Sequence, residues 1–183
     1  MSIKNAIDNL KTEMSLADIK PENGLGTELF LFSSTLAPVV NVDLLVVNEK
    51  KQILLAWRDD VHCGTGWHVP GGCIRFKESI EERLQKTALE ELGHMVHFES
   101  NPIKVFEIFF DENRTEIVDQ RERAHFITLV YKCTFPQRCE FKKVQEGEPG
   151  YLRWFDEIPE NLLEIQACYR NNWNEIKEKL WRS

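Results

Sequence analysis

The stretch Gly66–Val96, GWHVPGGCIRFKESIEERLQKTALEELGHMV, limits the fold of this chain more than any other. A short apolar run stops at Pro70, two glycines turn the backbone with their amides and carbonyls unshielded, and an amphipathic helix follows. At about 100° per residue, Ile80, Leu84, Ala88 and Leu92 share one stripe, which must pack on a sheet. Glu91 falls inside that stripe, beside Leu84 and Thr87, and Glu90 lies at its edge. An ionised carboxylate aimed at a core is costly unless it is paired or binds a metal. An ion pair with Lys86 or Arg83 is one solution. A hard cation such as Mg²⁺ is the other, held by Glu90 and Glu91 from one turn with the Gly72 carbonyl opposite.

The rest of the chain supplies the sheet. Residues 1–19 read as a helix with Ile7, Leu10, Met14 and Leu16 on one face, and KPENGLG then breaks the chain, giving a division into 1–26 (helix and linker) and 27–183 (main domain). ELFLF reads as a strand. VVNVDLLVVN and QILLAW, joined by NEKK, read as a hairpin, and WHVP as a further short strand. After the helix come the strands IKVFEIFF and AHFITLVYKCTF, which carries His125, and then YLRWF. IPENLLEIQACYRNNWNEIKEKLW reads as one terminal helix opened by a proline. Helices alternating with a mixed sheet make the class α/β.

At 183 residues the chain suits one domain with a real core. A net charge of −7 argues against nucleic acid as a partner, since phosphate-backbone binding rests on clustered Lys and Arg. No apolar run approaches the ~20 residues of a membrane span. The five cysteines form no CxxC pair and leave an odd one over, which fits free thiols and a cytoplasmic location.

The spacing of Gly72, Glu78, Lys86-Thr87, Glu90-Glu91 and Gly93 resembles the Nudix box, a long and discontinuous pattern; VPGG before it and LRWF after it agree. The resemblance covers residues 35–165 and implies the Nudix α/β/α sandwich with a mixed sheet. It further implies cleavage of a nucleoside diphosphate linked to another group, with Mg²⁺ or Mn²⁺ as cofactor, and a homodimer. Within the family, the segments VNVDLLVVNEKKQILLAWR, GWHVPGG, ALEELG and YLRWF look most like the GDP-mannose mannosyl hydrolase branch.

Several positions depart from that pattern. Lys86 stands for the box arginine and loses its planar fork. Thr87 stands where many members have a glutamate, and Cys73 where the mannosyl hydrolases have an arginine. The branch's glutamine ligand and histidine base align with Glu148 and Pro149. The resemblance therefore places the metal on Gly72, Glu90, Glu91 and Glu148, makes Glu91 and Glu148 the catalytic carboxylates with Glu146 in reserve, and gives substrate contacts to Arg58, Lys86 and His125. Without a histidine at 149, water delivered to phosphorus is expected, yielding nucleoside monophosphate and sugar phosphate from a nucleotide sugar. A Nudix domain that only senses a nucleotide is the alternative. Loops 58–66 and 110–123 are expected to set specificity.

Overall fold

The computed structural model of the protein describes residues 2–60, 63–109 and 125–181. The chain runs α1 (Ile3–Leu16), α2 (Gly26–Ser34), β1 (Val39–Val46), β2 (Ile53–Asp60), β3 (Gly64–His68), β4 (Gly71–Cys73) and α3 (Ile80–Thr87). Then come β5 (His97–Phe98), β6 (Lys104–Phe109), β7 (His125–Thr134), β8 (Leu152–Phe155), α4 (Ala167–Asn171) and α5 (Trp173–Trp181). One sheet has the order β4-β1-β7-β5, with β6 also on β7; the other has the order β3-β2-β8. Only β1 and β7 are parallel, so the sheet is mixed.

β1 shows why VNVDLLVV is so evenly apolar. Successive side chains of a strand point to opposite faces, and here both faces are covered. Val42, Leu44 and Val46 pack with Leu84, Ala88 and Leu92 of the box helix, whereas Leu45 and Val47 pack with Trp67, Tyr169, Trp173 and Ile176 on the C-terminal side. This two-sided covering is the α/β/α sandwich.

Four expectations need correction. ELFLF is helical, inside α2, not a strand. A four-residue apolar run cannot distinguish the two by periodicity, and here no partner strand takes it up. The NEKK turn does close tightly, Asn48 N–H donating to Gln52 O at 3.1 Å, but one bridge pair later β1 and β2 part into separate sheets. The terminal helix is broken: Leu162 bridges to Trp67 in parallel, Leu163 N–H donates to Trp67 O at 2.7 Å, and only then do a 3₁₀ turn, α4 and α5 follow. Pairing with the edge of β3 outweighs helix propensity there. Ile80 is 38% exposed and sits outside the buried stripe.

Among the described residues no helix is long and apolar enough to cross a membrane. All five cysteines are free thiols, with burial pushing Cys133 and Cys168 up to about 12.

Candidate active site

α3 starts where its sequence demands. Ser79 Oγ accepts from the Glu82 amide and Glu82 returns a bond to the Ser79 amide, a complete capping box. Its end is less regular. Ala88–Leu92 form a π-helical turn, closed by Gly93 in the left-handed region at φ 76°. The i→i+5 bonding changes the angular advance per residue just where the two acids sit, yet Leu92 stays buried and Glu91 is more sheltered than Glu90, the order expected at α-helical spacing.

The consequence is a division of labour. Glu91 is one-fifth exposed and accepts a hydrogen bond from His68 Nε2 at 2.9 Å; Arg58 Nη2 lies 3.8 Å from its other oxygen. Glu90 is half exposed and meets Arg83 at 3.3 Å. Arg83 is itself buried and also reaches Glu78 at 3.5 Å, while Lys86 meets Glu78 at 2.8 Å. Burial opposes ionisation of Glu78, but the Lys86 bond, the Arg75 amide and the Arg83 charge outweigh it and hold the carboxyl below its usual range. Lys86 thus serves the box helix internally.

The glycine turn sits against both networks. A side chain at Gly72 would strike Thr87 Oγ1, 2.6 Å from where its Cβ would stand, and one at Gly71 would strike Asp43 Oδ1 and Val42 O. Asp43 was missed from the sequence, although an acid in the middle of VNVDLLVV was the available signal. It pairs with Gly71 across β1 and β4, is almost fully buried, and accepts from the Tyr169 hydroxyl at 2.6 Å. Burial pushes its carboxyl up to about 7 against the lowering effect of that bond; the charge of Glu91 adds to the rise and that of Arg58 opposes it. Tyr169 is driven well above its usual value, chiefly by its own burial. His68, also missed, is buried with its Nδ1 lacking a hydrogen-bond partner among the described residues.

These groups meet a cavity of about 530 Å³. Asp43, Arg58, Asp60, His68, Gly71 and Gly72 line it, together with an apolar set from α2, β6 and β7. Lys86, Glu90, Glu91, Glu148 and His125 are not in the lining. Glu148 is exposed on the turn that closes from Gln145 to Tyr151, a turn joined to β2 at Trp57, next to Arg58. Glu146 pairs with Arg153 at 3.3 Å. His125 stacks on Phe109 at 4.4 Å between ring centres and lies 3.3 Å from Glu107. Of the two expected specificity loops, 110–123 lies outside the described residues, as do residues 61 and 62 of the other.

The donor set present suits a hard cation in part. Glu90 and Glu91 are consecutive oxygen donors, and Gly72 packs on the same helix at Thr87 and Arg83. Each acid already has a cationic partner, which a metal would have to displace. Among the described residues no three Asp, Glu, His or Cys side chains cluster closely enough to hold an ion. A cation here fits two carboxylates with main-chain and substrate oxygens, and Glu148 is not brought to it by any contact shown among the described residues.

The NUDIX domain family model matches residues 37–164. The chain belongs to the NUDIX family. This Nudix chain is 33% identical, over 97 residues, to the low-salt glycan biosynthesis protein Agl8 of Haloferax volcanii; the match takes in 53% of this chain and 59% of Agl8, so the chain spans about three fifths of that relative. The structure of a possible asymmetric diadenosine tetraphosphate (Ap4A) hydrolase from Jonesia denitrificans superposes with a TM-score of 0.59 at 20% identity, covering 81% of this chain and 99% of that one. The MutT protein of Methanosarcina mazei gives 0.56 at 19%, covering 77% and 96%. At these identities the likeness is one of fold. The family consists of hydrolases of small nucleoside diphosphate derivatives that use divalent cations.

Proposed function

We propose that this Nudix hydrolase cleaves a nucleotide sugar, with Mg²⁺ or Mn²⁺ as cofactor, as a cytoplasmic homodimer. The observation that carries the reading is the convergence of Arg58, His68, Asp43 and the Gly71–Gly72 turn on one cavity, with Glu91 paired to both His68 and Arg58. The likeness to a protein named for glycan biosynthesis supports a sugar-linked substrate over other diphosphates.

In this reading Arg58 binds the diphosphate from the cavity wall, its planar fork matching phosphate oxygens. Gly72, Glu90 and Glu91 hold the cation, which when bound neutralises the diphosphate and favours attack by water. His68 fixes the orientation of Glu91 through its Nε2–H, as an outer partner does for a ligand carboxylate. Glu148, the base expected from the sequence, stands outside the cavity lining. Asp43 lines the cavity with a carboxyl at about 7, which is matched to accepting a proton near neutrality. Asp43 is therefore the better-supported proton acceptor. The α1 residues Ile3, Ile7, Leu10 and Leu16 are exposed on the surface and supply the apolar face for dimerisation, which light scattering at micromolar concentration tests.

A screen of nucleoside diphosphate sugars with Mg²⁺ and Mn²⁺ in ¹⁸O-labelled water tests the activity. Nucleoside monophosphate and sugar phosphate, with label in a phosphate, are the expected products. Free sugar with nucleoside diphosphate would overturn attack at phosphorus. Binding of nucleotide sugars without turnover would support the alternative sensor.

A further inference from the structure

The polarity of the cavity is graded. On one face of the main sheet, Gly71 of β4 pairs with Asp43 of β1, Asn41 of β1 pairs with Thr128 of β7, and Phe126 of β7 pairs with Ile108 of β6. Register alone therefore orders the cavity floor from charged at β4 to apolar at β6. α2 flanks the apolar end: its Phe30 and Leu31, with Leu25 just before it, line the cavity there, and a four-residue link joins α2 to Val39, the register partner of Phe126.

We propose that this apolar end is a nucleobase subsite and that α2, which precedes the family-matched residues 37–164, is its specificity-determining wall. The inference rests on the nucleotide-sugar reading above. A nucleotide sugar has three parts: a doubly charged linker, a hydroxyl-rich sugar and a flat base with two apolar faces. The linker belongs with Arg58. A sugar set against Leu25, Phe30, Leu31, Phe126 and Ile108 would leave hydroxyls without partners, at about 1–3 kcal/mol for each one buried. A base needs hydrogen bonds only at its edge and gains by covering its faces with aromatic and aliphatic side chains. α2 is suited to such a duty because it contributes little to the core: Ser34 is its one buried residue. Changes on its cavity side are expected to register in binding before they register in stability.

The test is calorimetric titration of the full chain, in Mg²⁺, with GDP, ADP, UDP and CDP, and separately with inorganic pyrophosphate. Phe30→Ala should weaken nucleoside diphosphate binding about tenfold or more, the size of a lost base–aromatic contact, and leave pyrophosphate affinity within about twofold. Thr27→Trp, at an exposed position on the cavity rim, should obstruct nucleoside diphosphates while sparing pyrophosphate, and holds the test open if Phe30→Ala unfolds. Nucleoside diphosphate affinities unchanged in both variants, with the parent chain binding them, would overturn the subsite alone. Parallel loss of nucleoside diphosphate and pyrophosphate binding in Thr27→Trp would also overturn it. A parent chain that binds pyrophosphate but no nucleoside diphosphate more tightly would overturn the nucleotide reading itself.

Discussion

Glu78 and Asp43 are both carboxyls shielded from solvent, Glu78 in a half-buried residue and Asp43 in a fully buried one, yet the fold treats them oppositely. Glu78 is met by Lys86 and Arg83, and its carboxyl is held below the usual range. Asp43 is met by the neutral hydroxyl of Tyr169, and its carboxyl rises to about 7. The first arrangement fixes a charge in place and ties the end of the β4 loop to the box helix. The second stores a proton beside a cavity. Asp43 lies deeper than Glu78, and its partner is weaker as well: two cations offset the desolvation of Glu78, whereas a phenol offsets that of Asp43 only weakly. Glu91 differs from both in being partly exposed and shared by His68 and Arg58.

The largest expected effect separates Glu91 from the structural acids. Glu91→Gln should abolish Mg²⁺ binding and hydrolysis while the fold survives; a titration with undiminished Mg²⁺ affinity would remove Glu91 from the metal site. Next is Arg83→Ala, which leaves Glu78 buried without its inner cation. Loss of about 3–5 kcal/mol in urea unfolding is expected, as for breaking a buried pair. A loss under about 1 kcal/mol, as for an exposed pair, would show that the Glu78 network is not structural.

Asp43→Asn sharpens the contrast through pH. The folded-state carboxyl stands at about 7 against an ordinary value of 3.8, so between those limits the native chain keeps a proton that the unfolded chain has released. Raising pH through that window therefore costs the parent protein stability, with an upper limit on the order of 4 kcal/mol once pH exceeds the folded value. The variant should lack that slope, and urea unfolding at pH 5 and pH 8 measures it. Identical slopes would mean that Asp43 is ionised throughout. The smallest effect belongs to the surface: Glu146→Gln, which breaks the exposed pair with Arg153, should change stability by less than about 1 kcal/mol and leave turnover intact. A large loss of turnover would return Glu146 to the list of bases.

Much of this molecule was legible from its residues. The capping box at Ser79, the glycine stop at Gly93 and the two-sided apolar run of β1 are local patterns whose causes lie within a few residues. The glycine pair and the two adjacent acids were likewise readable, and the structure sets Gly72 against Thr87 and Arg83 of the box helix. Legibility failed where a segment's state depends on a distant partner. ELFLF became helical and Leu162-Leu163 became extended because of what lay beside them, and short apolar runs carry no record of that. The pairing of Lys86 was hidden for the same reason, since its partner Glu78 precedes it by more than two helical turns.

The sequence by itself determined the family, the α/β class and the position of the acidic turn, because spacing along one helix and one turn needs no knowledge of the remainder of the chain. Only the tertiary structure decided how each acid is charged. The protonation of Asp43 comes from its burial, opposed by the bond from Tyr169, 126 residues away, and the restraint of Glu91 depends on His68 and Arg58 arriving from two other strands. Charge in a protein interior is set by what surrounds a group in space, and sequence distance is no guide to that.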